Sequence, residues 1–465
     1  MIRTRQIIVK KNHILYSYFD NVTIKATALY NKTLFYLRHA MTAVKHSPEE
    51  WNAQERRAMQ ELQTSLPQMN NGSERYQLPT ADNWCLSYNF MYAFFKVTKN
   101  TVFYAEGLPS NVAQNVVYSA CSNMQKYAQG STGKMKWHLP KYIRGIKRHR
   151  ANFPALSLKH GMTDEGRFYL QFPKTKSVFY LKPIDLDVYK IVRVFVKYQY
   201  GDFFVSVVLD DGLEPPQLSD SPKRICAIDI GVNNFAAITN NIGYPSMLYK
   251  GGAAKSANET YNYKLSKIRQ IYCKDGDYKI KSLPAYNEAC ITRDKIVKDY
   301  IFQVSKSIVD WCVNNDIDTI VVGNMGYKLT QDKSPNGKNF FVLLPFAKFR
   351  QTLKDKSQMF GIRYIEVDES YTSQASFMDG DKCVNQECPE FSGFRGPIEY
   401  RGFKNNFGLY GLYQTADGTI VNADLNASAN IGHKAYPSLF NKDTVDISNG
   451  VLIFEHPCKE PHYAI

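Results

Sequence analysis

The sequence has no run of about 18 or more apolar residues, which excludes a membrane-spanning helix. Its opening, MIRTRQIIVKKNHILYSYFD, lacks the apolar core and small-residue cleavage site of a secretory signal, so a cytoplasmic protein is expected. Cysteine is sparse: nine residues run from Cys85 to Cys458 without framework spacing. An odd, irregular set excludes a disulfide scaffold and fits a reducing compartment, with most of the thiols read as small buried hydrophobes. No internal repeat or low-complexity tract is present. Acid is also in deficit, with 43 Asp and Glu against 58 Lys and Arg, a formal charge of +15. With a pI near 9.1, this balance favours a polyanionic partner, of which nucleic acid is the commonest. The 465 residues suffice for roughly three domains.

The chain opens on an alternating, strand-like stretch and turns helical from about Asn21 to Tyr127, where ALYNKTLFYLRHAM and NVAQNVVYSACSNMQKY carry apolar residues at helical spacing. PQMNNGSERY breaks that block. From about Gly133 to Gly212 the short β-branched and aromatic runs SVFYLKPI, KIVRVFVKYQY and DFFVSVVLD predict strands. GLEPPQLSDSP reads as a linker. Strands are then predicted at RICAIDIG, FAAIT and PSMLYKG, followed by a long helical stretch to Asn315 and strands at DTIVVGN and IRYIEVDES.

Positive charge is densest from Lys134 to Lys159. Lys134, Lys136, Lys141, Arg144, Lys147, Arg148, Arg150 and Lys159 occur there without an acidic residue, interleaved with Trp137, Tyr142 and Phe153. Cations neutralise phosphates and aromatic faces stack on unpaired bases, so the mixture suits RNA or single-stranded nucleic acid. The plain alternative is a solvated charged face.

In AIDIGVNNFAAIT, Asp229 ends an apolar strand, Gly231 permits a tight turn and a small-residue strand returns at once, as where an RNase H-like sheet presents its first metal-binding carboxylate. Two-metal phosphodiester hydrolysis needs hard oxygen ligands converging from several elements, and one Asp does not suffice. In TIVNADLNASANIGHKA, Asp424 precedes a helix carrying Ala427, Ala429 and Ala435; taken alone, it is an ordinary capped helix start.

Together, AIDIGVNNFAAIT, ESYTSQASFMDG and NADLNASANI resemble, in order and spacing, three blocks of the TnpB family and of the compact type V CRISPR effectors related to it. The likeness is clear from about Arg224 to Ala435 and weaker upstream, at LYNKTLFYLRHA, LPSNVAQNVV and HLPKYIRG. It implies an α/β multidomain protein with an RNase H-like RuvC domain, preceded by a wedge β-barrel with an inserted helical recognition lobe. The corresponding bounds are 1–20 and 131–215 for the wedge and 21–130 for the helical lobe. The RuvC domain takes 222–372 and 419–436, around a target-nucleic-acid-binding insertion at 373–418, with a C-terminal tail at 437–465. A guide RNA, target double-stranded DNA and Mg2+ or Mn2+ are the implied partners and cofactors, with no membrane.

Two departures from the family pattern bear on chemistry. Where relatives end a strand in Glu, this chain reads TIVVGN, and Gly323 has no side chain to offer a metal. In an RNase H-like sheet the strand ending at Asp368 and Glu369 neighbours it, about 4.8 Å away, and alternation puts Glu369 on the face of Ile365 and Val367, opposite Glu366 and Asp368. Asp229, Glu369 and Asp424 are therefore the expected catalytic and metal-binding acids, with Asp379 and Asp417 as loop alternatives. The four positions that hold zinc-binding cysteines in relatives are Ser376, Asp379, Gln414 and Asp417, so no structural zinc is expected, and Cys383 and Cys388 alone make a weak site. The expected function is a guide-RNA-dependent DNA endonuclease; the alternative is a nuclease-dead RNA-guided DNA binder acting as a repressor. A transposase working without RNA lacks its expected Tyr and His-rich signature, and a junction resolvase would not need so long a basic N-terminal extension.

Overall fold

In the computed structural model of the chain, which describes residues 1–100, 108–130, 138–181, 188–218, 221–273, 280, 283–324, 344–383, 391–395 and 411–464, two units are distinct: Met1–Leu213 and Glu214–Ile465. The division falls within the predicted linker.

The first unit runs β1 (Ile2–Val9), α1 (Tyr16–Ala43), α2 (Ala53–Asn70), α3 (Tyr88–Val97), α4 (Ser110–Ala128), β2 (Ala151–Pro154), β3 (Lys159–Met162), β4 (Phe168–Gln171), β5 (Val178–Leu181), β6 (Lys190–Gln199) and β7 (Asp202–Asp210). In β7 every second residue, Phe203, Val205, Val207 and Leu209, is buried, the period of a strand with one face on a core. Tyr200 and Gly201, both at positive φ, close the β6–β7 hairpin in two residues. The first strand lies along the far edge of β7, giving an antiparallel sheet in the order β1-β7-β6-β2, and β3-β4-β5 form a second, smaller one. The helices pack their apolar faces with α1 against α2 and α4. The first helix starts ahead of the expected Asn21, because Tyr16 is held by tertiary contacts: its hydroxyl donates to the Gly201 carbonyl at 2.7 Å and its ring meets Phe203 edge-on at 4.9 Å.

The second unit contains β8 (Ile225–Asp229), β9 (Asn234–Asn240), β10 (Ser246–Lys250), α5 (Gly252–Tyr272), α6 (Pro284–Asn314), β11 (Thr319–Asn324), α7 (Phe346–Met359), β12 (Arg363–Asp368), β13 (Phe394–Arg395), β14 (Leu412–Gln414), β15 (Ile420–Asn422), α8 (Ala423–Ala435), β16 (Val451–Phe454) and β17 (His462–Ala464). Seven strands form one sheet in the order β12-β11-β8-β9-β10-β16-β17. The first three are parallel, and β9 is antiparallel to both its neighbours. A strand buried on both faces reads as an unbroken apolar run, and β8 divides accordingly. Cys226 and Ile228 join the core with residues of α6 and α7, while Ile225 and Ala227 join the core with Ala429 and Ile431 of α8. The segment 437–465, expected to be a tail, instead adds β16 and β17 to the sheet. Phe454 stacks on Tyr249 with ring centroids 4.4 Å apart, a long-range contact that a four-residue apolar run does not advertise. No helix among the described residues is long and apolar enough to cross a membrane.

Candidate active site

Alternation assigns three positions, two of them acidic, to the α8 side of the sheet. Asp229 follows Ala227 on β8, Gly323 follows Val321 on β11, and Glu369 follows Val367 past the end of β12; Ala227, Val321 and Val367 all belong to the core that includes α8 residues. The parallel register sets Gly323 opposite Val367 and Asn324 opposite Asp368. Asp424 enters from the first turn of α8, whose N-cap, Asn422, accepts hydrogen bonds from the Asp424 and Leu425 amides at 3.0 and 3.2 Å. Asp229, Glu369 and Asp424 line one cavity of about 460 Å3, with Lys255, Thr372, Ser373 and Arg395.

The volume a side chain would take at Gly323 is already filled. A Cβ there would sit 2.7 Å from Ile431 Cδ1, 3.0 Å from Glu369 Oε2 and 3.4 Å from Glu369 Cβ. A side chain at Gly323 and the carboxylate of Glu369 would thus contend for one space. Glu366 points away, as alternation requires, accepting from Asn324 Nδ2 at 2.7 Å and from Tyr364 at 3.1 Å.

Burial, and then the charges of Asp424 and Glu369, push the Asp229 carboxyl well above the ordinary carboxylate range. Burial likewise pushes Glu369 up to about 7, against the pull of Arg350 and a hydrogen bond from Asp229. A hydrogen bond between the two acids couples their titrations. Asp424 is differently supplied: Asn234 Nδ2 donates to its Oδ2 at 2.8 Å, Lys250 fixes Asn234 at 2.9 Å, and Arg395 Nη2 stands 3.6 Å from its Oδ1. Among the described residues, no three His, Cys, Asp or Glu side chains form a ready ligand shell for one ion. A hydrogen bond thus joins Asp229 to Glu369, and a guanidinium stands beside Asp424.

Asn234, Lys250 and Arg395 escaped the sequence. Asn234 lies within the AIDIGVNNFAAIT block, where its place just after Gly231 was a usable signal; Arg395 had none. The loop alternatives do not line the cavity. Asp379 Oδ2 accepts from Ser376 Oγ and, at 3.0 Å, from the Ala416 amide, and Asp417 is held low by hydrogen bonds from Thr415 and Thr419. These bonds join three of the four positions where relatives carry cysteine to their neighbouring turns. Cys383 is free and half-buried; Cys388 is outside the described residues.

In the basic segment, Lys134, Lys136 and Trp137 are outside the described residues. Lys141, Arg144, Lys147 and Arg150 are exposed. Arg148 is not a free cation: it is ion-paired with Asp20, donates to the Asp20 carbonyl at 3.2 Å and lies over the Tyr198 ring at 4.5 Å. Phe153, expected among the stacking aromatics, is fully buried against Phe172. Tyr142 lies beneath Arg38. Arg150 instead borders a polar cavity of about 260 Å3 with Lys126 and Arg193, beside Asn115, Asn123 and His149. Arg193 was legible from the alternation of KIVRVFVK, which sends it to the side of Phe195.

Comparison with known proteins bears on the second unit above all. Residues 210–328 match the OrfB_IS605 family, described as a probable transposase, and residues 346–431 match the Cas12f1-like TNB domain. No curated protein matches the chain. Among solved structures, a Cas12f1–sgRNA–target DNA complex is 14% identical over 87% of this chain and 82% of that one, with a TM-score of 0.43. A CRISPR-Cas12f ternary complex is 14% identical over 88% and 80%, at 0.31. C2c1 of Alicyclobacillus acidoterrestris with single-guide RNA is 10% identical over 91% and 70%, at 0.34. Segment by segment, residues 210–328 and 346–431 are thus similar to OrfB_IS605 transposases and to the Cas12f1-like TNB domain, the relationship that the motifs around Asp229, Ser373 and Asp424 imply.

Proposed function

We propose that this chain is an RNA-guided DNA endonuclease. In this reading the second unit is an RNase H-like, RuvC-type domain carrying a target-nucleic-acid-binding insertion, and the first is a wedge with a helical recognition lobe inserted between β1 and β2. The observation that carries it is the exchange of space at Gly323: the carboxylate of Glu369 occupies the volume vacated there and faces Asp229. Two hydrogen-bonded carboxyls, with a third acid on the same cavity, are a donor set suited to hard divalent cations. Asp229, Glu369 and Asp424 would hold Mg2+ or Mn2+, which would supply an activated water and charge neutralisation at the departing oxygen. Asn234, fixed by Lys250, keeps Asp424 aimed into the cavity. Arg395, on the same cavity, would offer a cation to the phosphate of an entering strand. Lys141, Arg144, Lys147 and Arg150 offer phosphate contacts to a guide RNA or to its heteroduplex with the target. We infer that hydrogen bonds through Asp379 and Asp417, not zinc, hold the insertion.

The second reading, a guided binder that does not cut, is favoured by the Arg395–Asp424 pair and by the absence of a preformed ligand shell among the described residues. Sequencing the RNA that copurifies with the chain and offering matched duplex DNA with Mg2+ separates the two. Cutting that Glu369→Ala abolishes without loss of target binding supports the nuclease. Tight guided binding without cutting by the unmodified chain leaves the binder, and absence of any discrete RNA sinks both.

A further inference from the structure

The backbone that carries Glu369 has left the sheet, since β12 ends at Asp368. Two residues later Tyr371 sits at φ 66°, in the left-handed region where a side chain is disfavoured. Such a turn keeps one geometry only if its polar groups are held, and here they are. The Glu369 carbonyl accepts from Thr372 Oγ1 at 2.8 Å and from its amide at 3.2 Å. The carbonyls on either side, of Asp368 and Ser370, accept from a single donor, Lys434 Nζ, at 2.9 and 2.8 Å. Further along, Asn430 Nδ2 donates to the Thr372 and Ala375 carbonyls at 2.9 and 2.7 Å, and Asn426 holds Ala375 and the Phe377 amide.

Asn426, Asn430 and Lys434 recur every fourth residue, so they stand in one row along α8. The same helix presents Asp424 from its first turn. Between them Ser428 Oγ donates at 2.8 Å to the carbonyl of Ala227, two residues before Asp229. One helix therefore fixes the relative positions of all three acids. Asn426 and Asn430 are fully buried, and removing either would damage the core. Lys434 is half-exposed and is the contact that brackets Glu369.

Resting on the reading of Glu369 as a ligand, we propose that Lys434 is its positioning residue, a two-carbonyl clamp that sets where the relocated carboxylate points past Gly323. The test uses the RNA-free full-length chain, with Mn2+ affinity measured by calorimetry and backbone hydrogen exchange followed across 366–377. Outer partners of a ligand typically contribute on the order of 10- to 100-fold in metal affinity. Lys434→Met should weaken Mn2+ binding by about 10-fold and speed exchange in that segment, with a near-normal melting temperature. Lys434→Arg, which keeps paired donors, should restore both. Should the Met variant not fold, Lys434→Gln, which retains one donating group, should show the same two changes in smaller degree. Normal Mn2+ affinity in Lys434→Met beside a weakened Glu369→Gln overturns the clamp alone. Normal affinity in Glu369→Gln overturns instead the reading on which it rests.

Discussion

In the first unit cations lie on aromatic rings, Arg148 over Tyr198 and Arg150 over Phe195, and the notable enclosed titratable group is a base, His149, stacked on Tyr30 at 4.8 Å. In the second, two acids, Asp229 and Glu369, meet on a cavity that a third acid also lines. Under the proposed function, the first unit would offer positive charge to a long anion and the second negative charge to small cations. Affinity for a nucleic acid and chemistry upon it would then rest on separate charges, each open to change without the other.

The largest effect should come from the acids. Alanine at Asp229, Glu369 or Asp424 should bring cleavage below detection with guided DNA binding intact, while a Lys141, Arg144 and Lys147 triple alanine variant should bind weakly yet cut at saturating concentration; gel assays of binding and cutting on the same preparations would break the comparison if both losses travelled together. Next, Gly323→Glu should fail to add a useful acid. It would be driven into Ile431 and Glu369 and should cost about 1–3 kcal/mol in denaturant unfolding, as overpacked cores do. Within the basic segment the prediction divides. Arg148→Ala should cost about 1.5–3 kcal/mol by removing charge-assisted bonds to Asp20, leaving the salt dependence of RNA binding unchanged. Lys147→Ala should leave stability alone and lower the salt slope by about 1.

The smallest effect is a pair of pH slopes of opposite sign. Glu369 is raised from 4.5 to about 7, so its contribution to the fold is complete below about 4.5 and is lost as pH rises through about 7, and Asp229, raised as well, acts with the same sign. Burial lowers His149 from 6.5 to about 4, so its contribution is complete above 6.5 and is lost as pH falls toward 4. Melting curves across this range should show Glu369→Gln flattening the alkaline limb and His149→Asn the acid limb. Both limbs answering to one substitution would erase the contrast.

What the sequence displayed were features with a local period or a local stop. The apolar run into Asp229, the strand ending at Gly323 and the alternation that put Glu369 on the inner face are all visible within a few residues, and the structure brings those positions together. Contacts between distant segments were not visible. Asn234 meets Asp424 across 190 residues and Arg148 meets Asp20 across 128, and nothing near Arg148 marks it as taken. Arg148 and Phe153 therefore looked like surface in a segment whose composition was basic, although one is tied down and the other is core. The strand at Val451–Phe454 was hidden for the same reason, its partner lying two hundred residues upstream.

The row of contacts along α8 also has a temporal consequence. A growing chain presents Asp229 and Glu369 before residues 423–435 exist, and until then the contacts from α8 that bracket both are missing and the third acid has not been made. Under the proposed function, the parts that would cut DNA are thus assembled by an element that follows two of the acids in the chain, so a chain stopped between Glu369 and residue 423 would bring no complete site.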